Sequence, residues 1–263
     1  MRQNAGVSSQ AGFSLLELLL VVLILSVIVG AIFSQMSTAQ QRLSTEEIKI
    51  DDFQQARDFV DQFFRDMNQV GTPNVRMFDT TQTFTPGLAT PQTSYTWTNP
   101  PNPYINDSRF AIGLVKIDNN EIQFEGSVNG TGTVQSVIYQ INGSGGCKLC
   151  MMRSQVDKVT NTDPLKQGTN WGTEVNDIVS TTVFKFYQYD GTQIDPTTLP
   201  LDLSTQAGAT ALANVKTIQI NLTIRNPNVT DNQTGLPIET SFEGEISLNN
   251  CSMAASSLPM SCF

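Results

Sequence analysis

The chain has 263 residues, four cysteines, no histidine and a formal charge of −9, length enough for one large domain or two small ones with a buried core. The missing histidine removes Ser-His-Asp and Cys-His nucleophile systems and the usual zinc sites with His ligands. The acidic balance argues against general nucleic-acid binding, which needs a basic surface to displace counterions.

Residues 1–12 are polar or small, with Arg2 as their one charged side chain, and Phe13 to Phe33 is then an almost uniformly apolar run. A helix of that length spans about 31 Å, matching a hydrocarbon core roughly 30 Å thick. Arg42, Glu46, Glu47 and Lys49 follow it. A cleavable secretory signal fits poorly. Its apolar region is usually about 7–15 residues and its small residues follow the run, whereas Ala11 and Gly12 precede this one.

One acid, Glu17, stands inside the greasy segment. An acid at the centre of a span costs about 2.5–3.5 kcal/mol, less near the end, where it can lean toward the interface. A tolerated interfacial charge is the plain alternative. The functional reading is a carboxylate that waits for a cation. Cutting after Gly12 creates one, the free amine of Phe13, about 6 Å along the axis in the same helix. Between staggered parallel helices, Glu17 of one would meet the Phe13 amine of the next, and a low-dielectric setting would make that pairing selective for register.

Gly12-Phe13-Ser14-Leu15-Leu16-Glu17, followed by the apolar run, resembles the class III signal of type IV pilins and their relatives. The resemblance implies that a prepilin peptidase cuts between Gly12 and Phe13, that Phe13 is then N-methylated, and that Glu17 is the glutamate of the fifth mature position, neutralising a neighbour's N-terminus. Ala11 stands where a Lys or Arg is common, and Ser34 where many major pilins carry a helix-kinking proline.

Beyond the greasy run, Ile48, Phe53, Ala56, Phe59, Val60, Phe63, Phe64, Met67 and Val70 recur at mostly three- and four-residue steps, the mark of an amphipathic helix. Gly71, Thr72 and Pro73 are its stop signal. One continuous helix from about Phe13 to Val70 is expected, its stripe covered by a sheet. Residues 71–108, dense in Thr, Pro and Asn, read as a long irregular connection; in pilins the equivalent segment is variable and exposed. Tyr95, Trp97 and Tyr104 are expected to pin it to the head, an adhesive surface being the alternative.

Strands are expected at Ile122–Ser127 and Val134–Asn142, a hairpin around "VNGTG", and at Val183–Tyr189. They are also expected at Val215–Arg225 and Ser241–Leu248, where apolar and polar residues alternate. The fold class is therefore α+β, a long N-terminal helical stem packed on an antiparallel β-sheet head. Its divisions are a leader (1–12), a membrane or filament-core helix (13–33), an amphipathic stem (34–70), an exposed loop (71–108) and a β head (109–263). The segment "DFVDQFFRDMNQVGTPN" and the late strand "VKTIQINLTIRN" are similar to those of PilW-type minor pilins and, more distantly, GspJ-type pseudopilins of type II secretion.

Cys147, Cys150, Cys251 and Cys262 all fall in the head, and an even count in an oxidising compartment favours disulfides. Three pairings are open: two local loops, or two cross-pairings that staple the tail to "GGCKLC". A redox Cys-X-X-Cys usually opens a helix, and a Cys-only zinc site needs knuckle spacing; neither fits. Asp118, Glu121, Asp190, Asp195 and Asp231 read as turn residues, since no run reproduces a calcium loop. "GSGG" lacks the Lys-Ser or Lys-Thr of a phosphate loop. No enzyme, cofactor or metal is expected.

The resemblance implies a single-pass bacterial inner-membrane precursor with its head outside the cytoplasm, then a pilus or pseudopilus subunit. Its partners would be other pilin subunits, the prepilin peptidase and the inner-membrane assembly platform, in a heterologous helical polymer. The alternatives are a secretion pseudopilin and an uncleaved, signal-anchored periplasmic binding module.

Overall fold

The structure, a computed structural model, describes residues 14–73, 108–142, 149–160, 162–179, 182–230 and 235–248. Its contacts divide the chain into two units, Met1–Ile50 and Asp51–Phe263. The first helix, α1 (Leu15–Asn68), is one α-helix of 54 residues that contributes to both.

In the first unit, Leu15–Ser44 is long and apolar enough to cross a membrane, its most apolar 18-residue stretch having a mean hydropathy of 3.0 and no buried residue. α1 passes through Ser34 as regular helix, and the Thr38 hydroxyl donates to the Ser34 carbonyl at 3.0 Å. Serine keeps the backbone N–H that proline would remove, so no ladder bond is lost there.

The second unit is an antiparallel β head. Strands β1 (Leu114–Ile117), β2 (Glu121–Gly126), β3 (Gln135–Asn142), β4 (Cys150–Asp157), β5 (Trp171–Val175) and β7 (Leu201–Asp202) make a sheet in the order β5-β4-β3-β2-β1-β7. Strands β6 (Phe184–Gln188), β8 (Val215–Thr230) and β9 (Pro237–Ser247) make a second, in the order β6-β8-β9. Among the described residues the head thus has two sheets where a single cover was expected. A short helix, α2 (Gln206–Ala213), is capped by the Thr205 hydroxyl, which accepts from Gly208 N, and packs on β1 and β7.

The five expected strands appear as β2, β3, β6, β8 and β9. On β8, Ile218, Ile220, Leu222 and Ile224 are buried; on β9, Glu243 and Glu245 are exposed while Phe242 and Ile246 are half-buried. This is the alternation of a sheet with one covered face.

The stem's stripe is the other half of the core. Ala56, Phe59, Phe63, Met67 and Val70 are buried, spaced three or four residues apart on one helix face. The Phe63 ring lies 5.4 Å from Tyr139 of β3 and 5.5 Å from Phe184 of β6, so one side chain touches both sheets. Burying each phenylalanine contributes about 1.5–3 kcal/mol.

α1 ends at Asn68, and Val70 bridges to Gly126 of β2. Gly71 takes φ +73°, and its N–H donates to the Glu125 carbonyl at 2.9 Å. A glycine at this step allows the left-handed turn that ends the helix.

Among the described residues, two ion pairs lie inside the head. Lys158 Nζ sits 2.7 Å from Glu125 Oε2, both side chains fully buried. Asp66 of α1 is paired with Arg153 of β4 at 2.7 Å.

Candidate assembly site

α1 begins at Leu15, and Ser14 is the residue before it. The Ser14 carbonyl accepts from Glu17 N at 3.0 Å and from Leu18 N at 3.2 Å. Glu17 therefore occupies the first turn, three residues after Ser14, the spacing of a capping box. This relation was readable in "SLLE" and is a signal beyond the charge itself. The helix start carries unsatisfied N–H groups and the positive end of the helix dipole, so an acid there is locally favoured.

The Glu17 side chain is exposed, and among the described residues its carboxylate has no hydrogen-bond or salt-bridge partner. Its neighbours along the helix face, Leu20 and Val21, are apolar and exposed as well. The first unit therefore presents an unpaired anion at one end of an uncovered greasy rod. Chemically, such a site can accept a cation and cannot donate.

Further along α1, Ser26, Gly30, Ser34 and Thr38 recur every four residues, a spacing of small residues that lets another helix approach closely. The Ser26 hydroxyl donates to Leu23 O at 2.8 Å, as Thr38 does to Ser34, so both are satisfied within their own helix. A Cβ at Gly30 would meet nothing within 4 Å.

Gly12 and Phe13 lie outside the described residues, as do Cys147, Cys251, Cys262, Asp231, Tyr95, Trp97, Tyr104 and most of the 71–108 connection. Cys150 opens β4, is buried and is disulfide-bonded; its partner is not among the described residues. Its sulfur lies 3.1 Å from Asn176 Oδ1.

The acids expected at turns are occupied locally. Asp190 Oδ1 accepts from Thr192 N at 2.8 Å and Asp195 Oδ1 from Thr197 N at 2.8 Å, and these N–H donors hold both carboxyls below the usual range. Asp118 Oδ1 accepts from Asn119 N, and Glu121 pairs with Lys116 at 2.8 Å. Among the described residues no group of three or more Cys, Asp or Glu side chains is placed to hold a metal ion.

Residues 7–33 match the family model of the prokaryotic N-terminal methylation motif. No curated protein and no solved structure matches the chain. The motif is that of type IV pilin-like and pseudopilin-like precursors, a structural class of protein, and it overlaps a helix long and apolar enough to anchor a precursor in a membrane.

Proposed function

We propose that this protein is a structural subunit of a type IV filament, a PilW-type minor pilin that acts in assembly initiation or at the tip. In this reading the prepilin peptidase removes residues 1–12 by cutting between Gly12 and Phe13, and the new Phe13 amine is methylated. The helix from Phe13 to Phe33 becomes filament core, residues 34–70 the stem, and residues 109–263 the displayed head. The four cysteines are structural disulfide partners.

The observation that carries the reading is Glu17, an acid without a partner among the described residues, in the first turn of an uncovered apolar helix and inside the matched methylation segment. An anion in that setting is stabilised by a cation from another chain, and a freshly cut N-terminus supplies one. Contacts between parallel copies are head-to-tail and propagate without closing. Other pilin subunits and the inner-membrane assembly platform are the partners this requires.

The test is the intact mass of the membrane-extracted protein. Loss of residues 1–12 and gain of one methyl group are expected. An uncut chain would leave an anchored periplasmic module instead.

A further inference from the structure

The edge strand β5 carries a half-buried acid on its inner face. Among the described residues β5 pairs with β4 alone. Arg153 of β4 stands opposite Gly172 of β5, and the Arg153 side chain reaches Asp66 on α1. Gly172, opposite Arg153, is therefore on the face toward the helix, and Glu174 lines a groove with residues of α1. The register slips between Met151 and Met152, so Glu174 itself faces no partner on β4.

Glu174 borders a groove of about 410 Å³ with Asp58, Phe59, Asp61, Gln62 and Arg65 of α1. Three carboxylates there face one guanidinium. Arg65 donates to Gln62 at 2.8 Å, and Asp61 sits 4.0 Å from the exposed Arg57. Among the described residues Asp58 and Glu174 have no hydrogen bond or ion pair. Burial first, and then nearby Asp66, push the Glu174 carboxyl up, against the pull of Arg153. Gly172 adds no side chain to the groove wall, and a Cβ there would approach nothing closer than 3.9 Å. At the start of β5, Trp171 is 40% exposed.

Inward charges and register slips are how edge strands repel unwanted strands. The same device selects. An apolar strand laid on β5 would bury the Glu174 carboxylate with only the pull of Arg153 against the cost, whereas a strand bearing a cation would neutralise it directly. We propose that β5 is a charge-gated docking edge for an extended segment of a partner protein, whose Lys or Arg side chain enters the groove between β5 and α1 and pairs with Glu174. Backbone hydrogen bonds would supply the pairing and the cation the selectivity. The surface lies in the head and does not depend on the filament reading.

The test is calorimetric titration of the full chain, in zwitterionic detergent, with three blocked peptides of alternating Thr and Val. One has a central Lys, one a central Glu, and one the central Lys with alternate backbone amides N-methylated. The Lys peptide is expected to bind, with the other two at least about tenfold weaker, a difference of about 1.4 kcal/mol. Glu174→Gln, a half-buried and near-isosteric change, is expected to weaken the Lys peptide about tenfold and to abolish discrimination against the Glu peptide. Failure of the Lys peptide to bind overturns the proposal. So does equal binding of the N-methylated peptide, or a Glu174→Gln chain that binds and discriminates like the parent.

Discussion

Arg153 of β4 donates to one carboxylate oxygen of Asp66 on α1, with Nε at 2.9 Å and Nη2 at 2.7 Å from Oδ2. The Tyr139 hydroxyl donates to the same oxygen at 2.6 Å and Gln62 Nε2 to the other at 2.6 Å. The pair fixes both the axial position and the rotation of the stem against the larger sheet. A greasy stripe alone tolerates sliding by a turn; a buried carboxylate with four donors does not.

Removing one member of such a pair strands the other. Asp66→Ala is expected to destabilise the head by about 3–5 kcal/mol, whereas replacing both members with apolar residues, Asp66→Leu with Arg153→Met, costs much less. Denaturant midpoints of the full chain in detergent, followed by the near-ultraviolet signal of the head, provide the comparison. A double variant as unstable as Asp66→Ala would show that the pair is not the source of the stability.

Phe64 makes a second locating contact. A Cβ built on Gly244 of β9 would collide with Phe64 Cζ, so the ring uses the space that glycine leaves. Gly244→Ala is expected to cost about 1–3 kcal/mol through overpacking. Phe64→Leu in the same chain should recover part of that loss, giving a coupling of about 0.5–3 kcal/mol. Strictly additive losses in a double-mutant cycle would mean that β9 moves aside instead.

These two contacts explain which parts of the fold were legible in the chain and which were not. The stem and the strands β8 and β9 have one covered face, so their periods of three to four and of two stand out as apolar spacing. β4 does not, because its inward position is held by Arg153, a residue that pattern reading assigns to solvent. β1 is too short to display a period, and Leu114, Val115 and Ile117 are all buried, so it shows no alternation. The division into two sheets is a matter of long-range pairing, which local spacing does not encode. Glu17 stood out because a single charge inside an otherwise apolar run is conspicuous in the chain. Cysteine pairing was not, since four cysteines specify a count without a geometry.

The other buried pair sets a pH dependence. Burial pushes the Glu125 carboxyl above its ordinary 4.5, with Lys158 and the Ile112 N–H opposing. The folded state then holds that proton more tightly than the unfolded one. Stability contributed by this group is fully present below pH 4.5 and is lost as pH rises through the folded value. Relative to Glu125→Gln, which does not titrate, the parent chain should lose stability as pH rises above 4.5. Urea midpoints of both chains across that range measure the difference. If the parent instead gains on the variant as pH rises, attraction to Lys158 outweighs burial.

Glu17 poses the sharpest choice between a helix-end residue and an assembly residue. An acid in the first turn gains about 0.3–1 kcal/mol from the helix dipole, while an acid at the centre of a span costs about 2.5–3.5 kcal/mol. The dipole offsets only part of any such cost, and a cation from another chain supplies the rest. Glu17→Gln keeps the length and the hydrogen-bonding capacity of the side chain and removes only its charge. Membrane insertion and loss of residues 1–12 should therefore proceed as in the parent. Entry into filaments should fall at least about tenfold, the effect of about 1.4 kcal/mol, read as the fraction of cleaved chain in the sheared-fibre fraction against the fraction left in membranes. Parental incorporation of the Gln chain would reduce Glu17 to a helix cap and leave the register of the polymer to the apolar surface alone.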